Sequence, residues 1–304
     1  MTNSGIWISR LAAAAISITL GVGAAYAADK KPDAPRNWTD SGRLLATSGV
    51  SQVEGAAGGG LAPWATITGY GTDDSIGANV HGTYVRLPDF ALKSGGLSVG
   101  LFNRVDLSYT RQTFDLGKTG PKLGLIDGYT FNQDIYGAKV RLLGDIVYDQ
   151  DTWLPQISVG VQYKKNDRGP LVTALGATSD HGTDFYVSAT KLFLAQSLLV
   201  NATLRETKAN QFGLLGFGGP NKNGYSTQFE GSVAYLISRK LAVGAEYRTK
   251  PDNLAFAKED DAYDVFVAWF LNKHLSATLA YVDLGDIALM GRQRGTYISL
   301  QTGF

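Results

Sequence analysis

Short stretches in which apolar and polar residues alternate recur along most of this chain. In residues 240–249, Val243 and Tyr247 share one face, whereas Glu246 and Arg248 share the other. A period of two is the spacing of a β-strand with two unlike faces. The pattern predicts about fourteen antiparallel strands. They are 42–53, 62–71, 76–86, 94–102, 104–114, 134–143, 154–164, 183–194, 197–206, 226–237, 240–249, 262–271, 274–284 and 296–304.

The links between these stretches differ in length in a regular way. Links that end one set of strands are tight, around residues 103, 195, 238 and 272. Links at the opposite ends are longer, at 115–133, 165–182, 207–225, 250–261 and 285–295. Outer-membrane β-barrels have short periplasmic turns and longer outer loops, so this asymmetry favours that fold. Residues 144–153 are the exception, because they form a long link on the short side.

Aromatic residues on the apolar faces support the same interpretation. They lie near the predicted outer strand ends (Tyr84, Tyr163, Tyr247, Tyr263, Tyr281) or near the inner ends (Phe193, Tyr235, Trp269, Phe304). Two aromatic belts are expected at the borders of a membrane, whereas a soluble β-sandwich has no need to sort its aromatics this way. The last strand also resembles the C-terminal assembly signal of such barrels, with Ile298, Leu300 and Phe304 on one face. We therefore predict a transmembrane antiparallel β-barrel.

The first two stretches are the weakest part of the strand prediction. They are interrupted by Gly58-Gly59-Gly60 and by Pro63, and proline cannot donate a hydrogen bond to a sheet. They form either the first hairpin or an inward-folded segment, so the alternative is twelve strands plus an N-terminal plug. Consecutive glycines permit close backbone approach, which suits a hinge or a gate. An ordinary loop between two strands is the interpretation that the sequence favours.

The N-terminal residues have the features of a secretory signal peptide. Arg10 precedes a run of apolar and small residues, 11–25, and Ala25-Tyr26-Ala27 provides small residues at the cleavage site. The run is too short for a membrane helix, which needs roughly 20 residues. The predicted organisation is a cleaved signal at 1–27, a periplasmic segment at 28–41 and a barrel at 42–304.

Composition narrows the class of protein. The chain has 28 Lys and Arg against 27 Asp and Glu, and it has no cysteine. The near-neutral balance argues against a nucleic-acid partner, and the lack of cysteine suits an oxidising compartment. We expect the protein in the outer membrane of a Gram-negative bacterium. Its expected partners are lipid and lipopolysaccharide, the barrel-assembly machinery during biogenesis, and a small solute.

The polar faces of the strands predict a lumen of mixed charge. In porins, rows of opposite charge on facing sides of the lumen set a transverse electric field. The same residues can instead pair as salt bridges that close the lumen. We therefore predict a channel or transporter for small solutes, with a non-conducting structural or envelope-interaction barrel as the alternative. The constriction candidates are Lys139, Arg141, Asp106, Glu230, Glu246, Arg248, Arg205 and His81, with the first two expected to face the acidic residues across the barrel.

Patterns that indicate catalysis or metal binding are weak. His81, His181 and His274 are scattered, and none has metal-ligand spacing. His81 beside a lumenal serine or aspartate is the one candidate for a hydrolytic triad, because triads are recognised in space rather than in sequence. We predict a protein that is not an enzyme and uses no metal or cofactor. A surface hydrolase is the second alternative.

Charged residues near the strand ends suggest contacts with the envelope. Lys164, Lys165 and Arg168 lie where they can meet lipopolysaccharide phosphates, and Glu259-Asp260-Asp261 lies where it can share divalent ions with lipopolysaccharide. Solvated loops are the simpler interpretation of both groups. Lys191 falls on an apolar face near a strand end, so we expect it to extend toward the lipid head groups.

Two segments carry a family resemblance. They are LLATSGVSQVEGAAGGGL at residues 44–61 and YDQDTWLPQ at residues 148–156. Both resemble a family of uncharacterised outer-membrane proteins of Gram-negative bacteria, domain of unknown function (DUF) family 3034. The resemblance extends over nearly all of the chain after residue 27. It implies a barrel in the outer membrane, and it implies no activity.

Overall fold

Twelve of the alternating stretches pair edge to edge in the computed structural model, which describes residues 41–47 and 50–304. Each strand pairs antiparallel with the next along the chain, and the last pairs with the first, so the sheet closes into a barrel. Two short strands, β1 (Val50–Ser51) and β2 (Ala57–Gly58), pair with each other. The barrel strands are β3 (Ile76–Arg86), β4 (Ala91–Leu101), β5 (Val105–Asp115), β6 (Thr130–Leu143), β7 (Gln156–Asn166), β8 (His181–Phe193), β9 (Leu198–Thr207), β10 (Ser226–Ser238), β11 (Leu241–Arg248), β12 (Ala262–Phe270), β13 (Leu275–Asp286) and β14 (Arg292–Gly303).

The predicted count of about fourteen strands is wrong, and the number twelve in the alternative prediction is right. The described residues of 42–53 and all of 62–71 contribute no strand to the barrel. The glycine run and Pro63 explain this, since glycine pays a high entropy cost in a strand and proline lacks an N–H group. The predicted signal peptide and residues 28–40 lie outside the described residues.

The alternation along the strands sorts side chains between the two faces of the barrel wall. On β11, Ala245 and Tyr247 face outward, whereas Glu246 and Arg248 are buried inside. Seven of the nine predicted aromatics are exposed on the outside, for example Tyr84 and Tyr281 at one end and Trp269 and Phe304 at the other, whereas Phe193 and Tyr263 are half-buried. The outer surface is therefore an apolar band bordered by aromatics.

The two ends of the barrel differ in their links. We call one end of the barrel the short-link end and the opposite end the long-link end. The short-link end carries links 102–104, 144–155, 194–197, 239–240 and 271–274. The long-link end carries a 3-10 helix at Gly117–Leu123, a short α-helix at Gly169–Ala174 and a 3-10 turn at Asn210–Gly213. Within the described residues, none of the helices has the length and apolar character needed to cross a membrane.

Lys191 departs from its predicted role. Its side chain is buried, and its ammonium group donates to the carbonyl oxygens of Asp149 and Leu154 in link 144–155. The prediction that it extends to lipid head groups is wrong. The long link supplies carbonyl acceptors next to the strand, and a buried ammonium group is stable only with such partners.

Candidate functional site in the barrel lumen

Residues 50–70, called the inner segment, lie inside the ring of inward-facing side chains. Every residue of the inner segment is buried. Its backbone is bonded to side chains from opposite sides of the barrel: the N–H of Ser51 donates to Gln301 on β14, and the N–H of Ala65 donates to Thr190 on β8. Lys139 on β6 donates to the carbonyls of Ala57 and Trp64.

These bonds explain why an irregular segment can be buried at all. Buried backbone N–H and C=O groups need hydrogen-bond partners, and the inner segment supplies only some of its own, through the β1–β2 ladder and through bonds such as those from Val53 N–H to Gly60 and from Trp64 N–H to Ala57. The barrel wall supplies the missing partners through short polar side chains. Ser188 and Thr203, for instance, both donate to the carbonyl of Pro63.

One carboxylate of the inner segment is held by three cations from the barrel wall. Glu54 is fully buried and is the only charged residue among residues 50–70. It pairs with Lys164 on β7, with Arg248 on β11 at 2.8 Å and with Arg205 on β9 at 3.7 Å. A charge at this depth is stable only when it is paired and hydrogen-bonded.

Two acidic side chains of the wall complete this arrangement. Glu230 lies 2.5 Å from the guanidinium of Arg205 and 3.2 Å from that of Arg248. Asp184 lies 2.7 Å from Lys164 and 3.2 Å from Arg205. We call Glu54, Lys164, Asp184, Arg205, Glu230 and Arg248 the Glu54 cluster. Its three cations and three anions balance only when Glu54 is present.

Burial of Lys164 overturns part of a prediction. Its side chain has no exposed surface and bonds to Glu54 and Asp184, so it cannot reach lipopolysaccharide phosphates. Lys165 and Arg168 are exposed at the long-link end, and their predicted role stays a prediction.

Lys139 and Arg141 do not form a row opposite the acidic residues. Lys139 pairs at 3.3 Å with Asp106, its direct cross-strand neighbour on β5. Arg141 pairs at the short-link end, with Asp145 at 2.8 Å and with Asp73 at 3.2 Å. The expected facing of Lys139 and Asp106 across the lumen is therefore wrong, because they are adjacent on the wall. Backbone N–H groups of Tyr148 and Val147, together with Arg141, more than offset burial and lower the pKa of Asp145.

The glycine run lies against the carboxylate of Glu246. The N–H groups of Gly60 and Leu61 donate to Glu246 at 2.5 Å and 2.7 Å. A β-carbon on Gly59 would lie 1.9 Å from Glu246 Oε1, and one on Gly58 would lie 2.3 Å from the carbonyl oxygen of Ala62. The glycines are therefore required for close approach inside the barrel. They do not form the loop between two barrel strands that the sequence favoured.

His81 lies inside the barrel with only 3% of its surface exposed. Neither ring nitrogen has a hydrogen-bond partner among the described residues. A triad needs a nucleophile bonded to the imidazole, and this arrangement is not assembled here. His181 and His274 lie at opposite ends of the barrel, and within residues 41–47 and 50–304 no group of three acidic or histidine side chains is placed to hold a metal ion.

A second feature of the lumen is apolar and was not predicted. At the short-link end, the inward faces of β8 to β12 carry Leu192, Leu199, Ala234, Ala242, Phe266, Ala268 and Phe270. With Leu44, Leu45, Ile146 and Trp64 they enclose a cavity of about 620 Å³. We call it the apolar cavity. Its lining includes a single charged residue, Arg239, in link 239–240.

At the long-link end, Glu259 is buried instead of being available to ions. Both carboxylate oxygens accept the N–H of Gln211, at 2.8 Å and 2.9 Å, and Lys250 lies at 3.9 Å. Burial raises the pKa of Glu259 to about 7, against the opposing effect of Lys250 and of the Gln211 N–H. The prediction that this residue shares divalent ions with lipopolysaccharide is therefore wrong for Glu259, although Asp260 and Asp261 are not tested.

Comparison with known proteins places this chain in a family. The sequence profile of DUF3034, described as a protein of unknown function, matches residues 47–301. The chain belongs to this family. The match includes the inner segment and the barrel strands up to Gln301 on β14, so the predicted resemblance to DUF3034 is confirmed. No curated protein matches the chain.

Solved structures of bacterial outer-membrane barrels are similar to this DUF3034 chain. A KdgM porin matches with a TM-score of 0.49 and 11% identity, covering 74% of this chain and 99% of its own. A NanC porin matches with a TM-score of 0.44 and 12% identity, covering 74% and 97%. Outer membrane phospholipase A from Escherichia coli has a TM-score of 0.43 and 10% identity, covering 78% and 94%.

Proposed function

We propose that this protein is an outer-membrane β-barrel that acts as a gated channel for small solutes. The apolar outer band with its aromatic borders supports placement in a membrane. The short-link end then faces the periplasm, and the long-link end faces the outside. The inner segment fills the polar part of the lumen, so the described conformation is the closed one.

The Glu54 cluster is the observation that carries this proposal. Without Glu54, the wall residues of the cluster are three cations and two anions, and they all project from barrel strands. Water can solvate this part of the wall, because inward neighbours of the cluster such as Gln162, Ser188 and Thr203 are also polar. Departure of the inner segment would leave a hydrated passage lined by charges of both signs, since Glu246 and Asp264 also project inward from β11 and β12. In this proposal the inner segment is the gate, and the ion pairs of Glu54 hold it inside the lumen and keep the channel closed.

A non-conducting barrel is the competing function, and one observation favours it. Every residue of the inner segment is buried, and its backbone is bonded to strands from several sides. A permanently filled lumen would need the same bonds. The two functions differ in whether the barrel conducts ions when the ion pairs of Glu54 are weakened.

Conductance of the Glu54→Gln variant in a planar bilayer tests the channel. Removing one partner of a buried ion pair costs about 3–5 kcal/mol, so the inner segment should open far more often. We expect rare conductance steps in the wild type and frequent steps in Glu54→Gln. A folded variant that never conducts would overturn the channel and leave the non-conducting barrel.

A disulfide between the inner segment and the wall provides the control. The side chains of Ser51 and Asn79 touch, with Oγ and Nδ2 at 2.8 Å, and the chain has no other cysteine to interfere. In Glu54→Gln carrying Ser51→Cys and Asn79→Cys, oxidation should silence the steps and reduction should restore them. Steps that persist after complete oxidation would show that current does not pass where the segment lies.

A further inference from the structure

The apolar cavity differs from the rest of the lumen in a way that the proposed gate does not require. On β9, the inward positions change from Leu199 at the short-link end to Asn201, Thr203 and Arg205 further along. On the neighbouring strands, the inward positions likewise change from apolar to polar along the length of the strand. An aqueous passage has no use for a large apolar wall at one end, so this wall indicates a different ligand.

The size and lining of the apolar cavity match those of a small-molecule site. Its volume of about 620 Å³ lies within the range of about 300–1,000 Å³ that is typical of ligand pockets. Phe266, Phe270, Leu192 and Leu199 are each less than 10% exposed, so the wall is well packed. Aliphatic and aromatic surface of this extent binds an extended hydrocarbon chain.

The polar groups around the cavity locate the head of such a ligand. Arg239 is exposed in link 239–240, so it lies at the mouth. The lining also includes Thr66 and Thr278, whose buried hydroxyls have no hydrogen-bond partner among the described residues. Hydroxyls do not balance the charge of a buried carboxylate, whereas Arg239 does. A carboxylate therefore belongs at the mouth and the chain belongs inside.

We propose that the apolar cavity binds a single-chain fatty acid from the periplasmic side, with its alkyl chain between β8 and β12 and its carboxylate beside Arg239. The orientation relies on the short-link end facing the periplasm, as in the proposed function. Binding itself does not require that the lumen conducts.

Photolabelling tests this site directly. The probe is palmitic acid carrying a diazirine in the middle of its chain, added to residues 28–304 refolded in lipid nanodiscs. After illumination, mass spectrometry should place the label on cavity residues such as Leu192 and Phe266, and excess palmitic acid should compete it away. A label confined to outward-facing residues would show only lipid-phase contact and overturn the proposal.

Two tryptophan variants on one strand distinguish the effect of filling the cavity from the effect of placing a large side chain elsewhere on that strand. Ala242 lines the cavity, whereas Ala245 on the same strand faces outward and is exposed. Each methylene group buried is worth about fourfold in affinity, so excluding even two groups weakens binding more than about tenfold. We expect Ala242→Trp to lose cavity labelling by that factor and Ala245→Trp to retain it. Equal labelling of both folded variants would contradict the site.

Replacement of Arg239 tests the head group. An exposed ion pair is worth up to about 1 kcal/mol, which is about fivefold in affinity. We expect Arg239→Gln to weaken competition by palmitic acid about two- to fivefold and to leave competition by neutral palmityl alcohol unchanged. Lys240→Gln, at the next position of the same link, is the matched control. An equal loss for acid and alcohol would contradict the assigned carboxylate position.

Discussion

At the scale of single residues, position in the alternation decides burial, but the partner of a charge comes from elsewhere in the chain. The sequence placed Glu230, Glu246, Arg205 and Arg248 on the inward face, and they lie there. It did not identify Glu54 as their partner. That residue lies in a segment without a period of two, so no pattern relates it to cations more than one hundred positions away.

Gly59 gives a prediction at this scale. Its replacement by alanine places a β-carbon 1.9 Å from Glu246 Oε1, so either the glycine run or the Glu246 carboxylate that accepts the N–H groups of Gly60 and Leu61 must move. Overpacking of this kind costs about 1–3 kcal/mol, which corresponds to opening about 5- to 160-fold more often. We expect faster hydrogen exchange of amides in residues 50–70. Gly82→Ala is the control, because no atom lies within 4 Å of the added carbon. Unchanged exchange in Gly59→Ala would contradict the tight contact.

Glu259 predicts a pH dependence at the long-link end. Its pKa is raised to about 7, so the folded state holds the proton more tightly than the unfolded state does. The stability it contributes is fully present below the ordinary glutamate pKa and is lost as pH rises through about 7. Limited proteolysis of link 249–261 should therefore be faster at about pH 8 than at about pH 5. Glu259→Gln should remove most of this difference, whereas Asp127→Asn in an exposed link should not. If the difference in proteolysis rate between the two pH values persists in Glu259→Gln, another titratable group causes it.

At the scale of elements, strands and irregular segments differ in how far sequence determines them. Residues 76–86 were predicted with the bounds that β3 has, because alternation fixes a strand that is apolar on one side. The inner segment was left open between hairpin and plug. Its conformation depends on hydrogen bonds to side chains on distant strands, and local preferences carry no information about these.

The apolar cavity was missed for a different reason. Phe266, Ala268 and Phe270 alternate with Val265, Val267 and Trp269, so both faces of β12 are apolar near the short-link end. A strand with two apolar faces gives no sign of which one is inward. The inward register was already set by Asp264, and following it along the strand would have revealed an apolar lumen wall.

The independence of barrel and inner segment gives a prediction for elements. The strand ladder between β3 and β14 pairs residues 79–86 with residues 296–303, and the inner segment adds to this seam the backbone bond from the Tyr70 N–H to the carbonyl of Phe304. Deletion of residues 41–70 should leave a barrel that still shifts in mobility on heating in gels, and it should unfold at a lower temperature because buried charges lose a partner. Failure of the deleted chain to form any heat-modifiable barrel would show that the segment is needed for folding.

At the scale of the whole molecule, Phe304 takes part in the seam that closes the barrel. Phe304 exchanges backbone hydrogen bonds with Ala78, at 2.8 Å and 3.0 Å, and its carbonyl also accepts the N–H of Tyr70. Its ring is 53% exposed on the outside, so the packed barrel gains little from it. The predicted role of this aromatic as an assembly signal is therefore separate from a role in packing.

Phe304→Ala separates these roles. The backbone bonds stay, so the thermal stability of the refolded barrel should change by less than about 1 kcal/mol. Folded barrel in cell envelopes should fall several-fold if the aromatic is the assembly signal. Phe229→Ala, another exposed outward aromatic, provides the comparison. Equal envelope levels for both variants would refute the signal.

The pairing of β3 with β14 also constrains the order in which the molecule can be built. These strands join the start and the end of the barrel, for instance Tyr84 with Ile298, whereas every other strand pairs with its neighbour along the chain. The inner segment directly precedes β3. Because β14 is the last of the described strands along the chain, the β3–β14 seam is the last pair whose two strands both exist, and by then the inner segment is already tethered to β3. The closed state is therefore the first state that can form, and opening of the proposed gate is a later step.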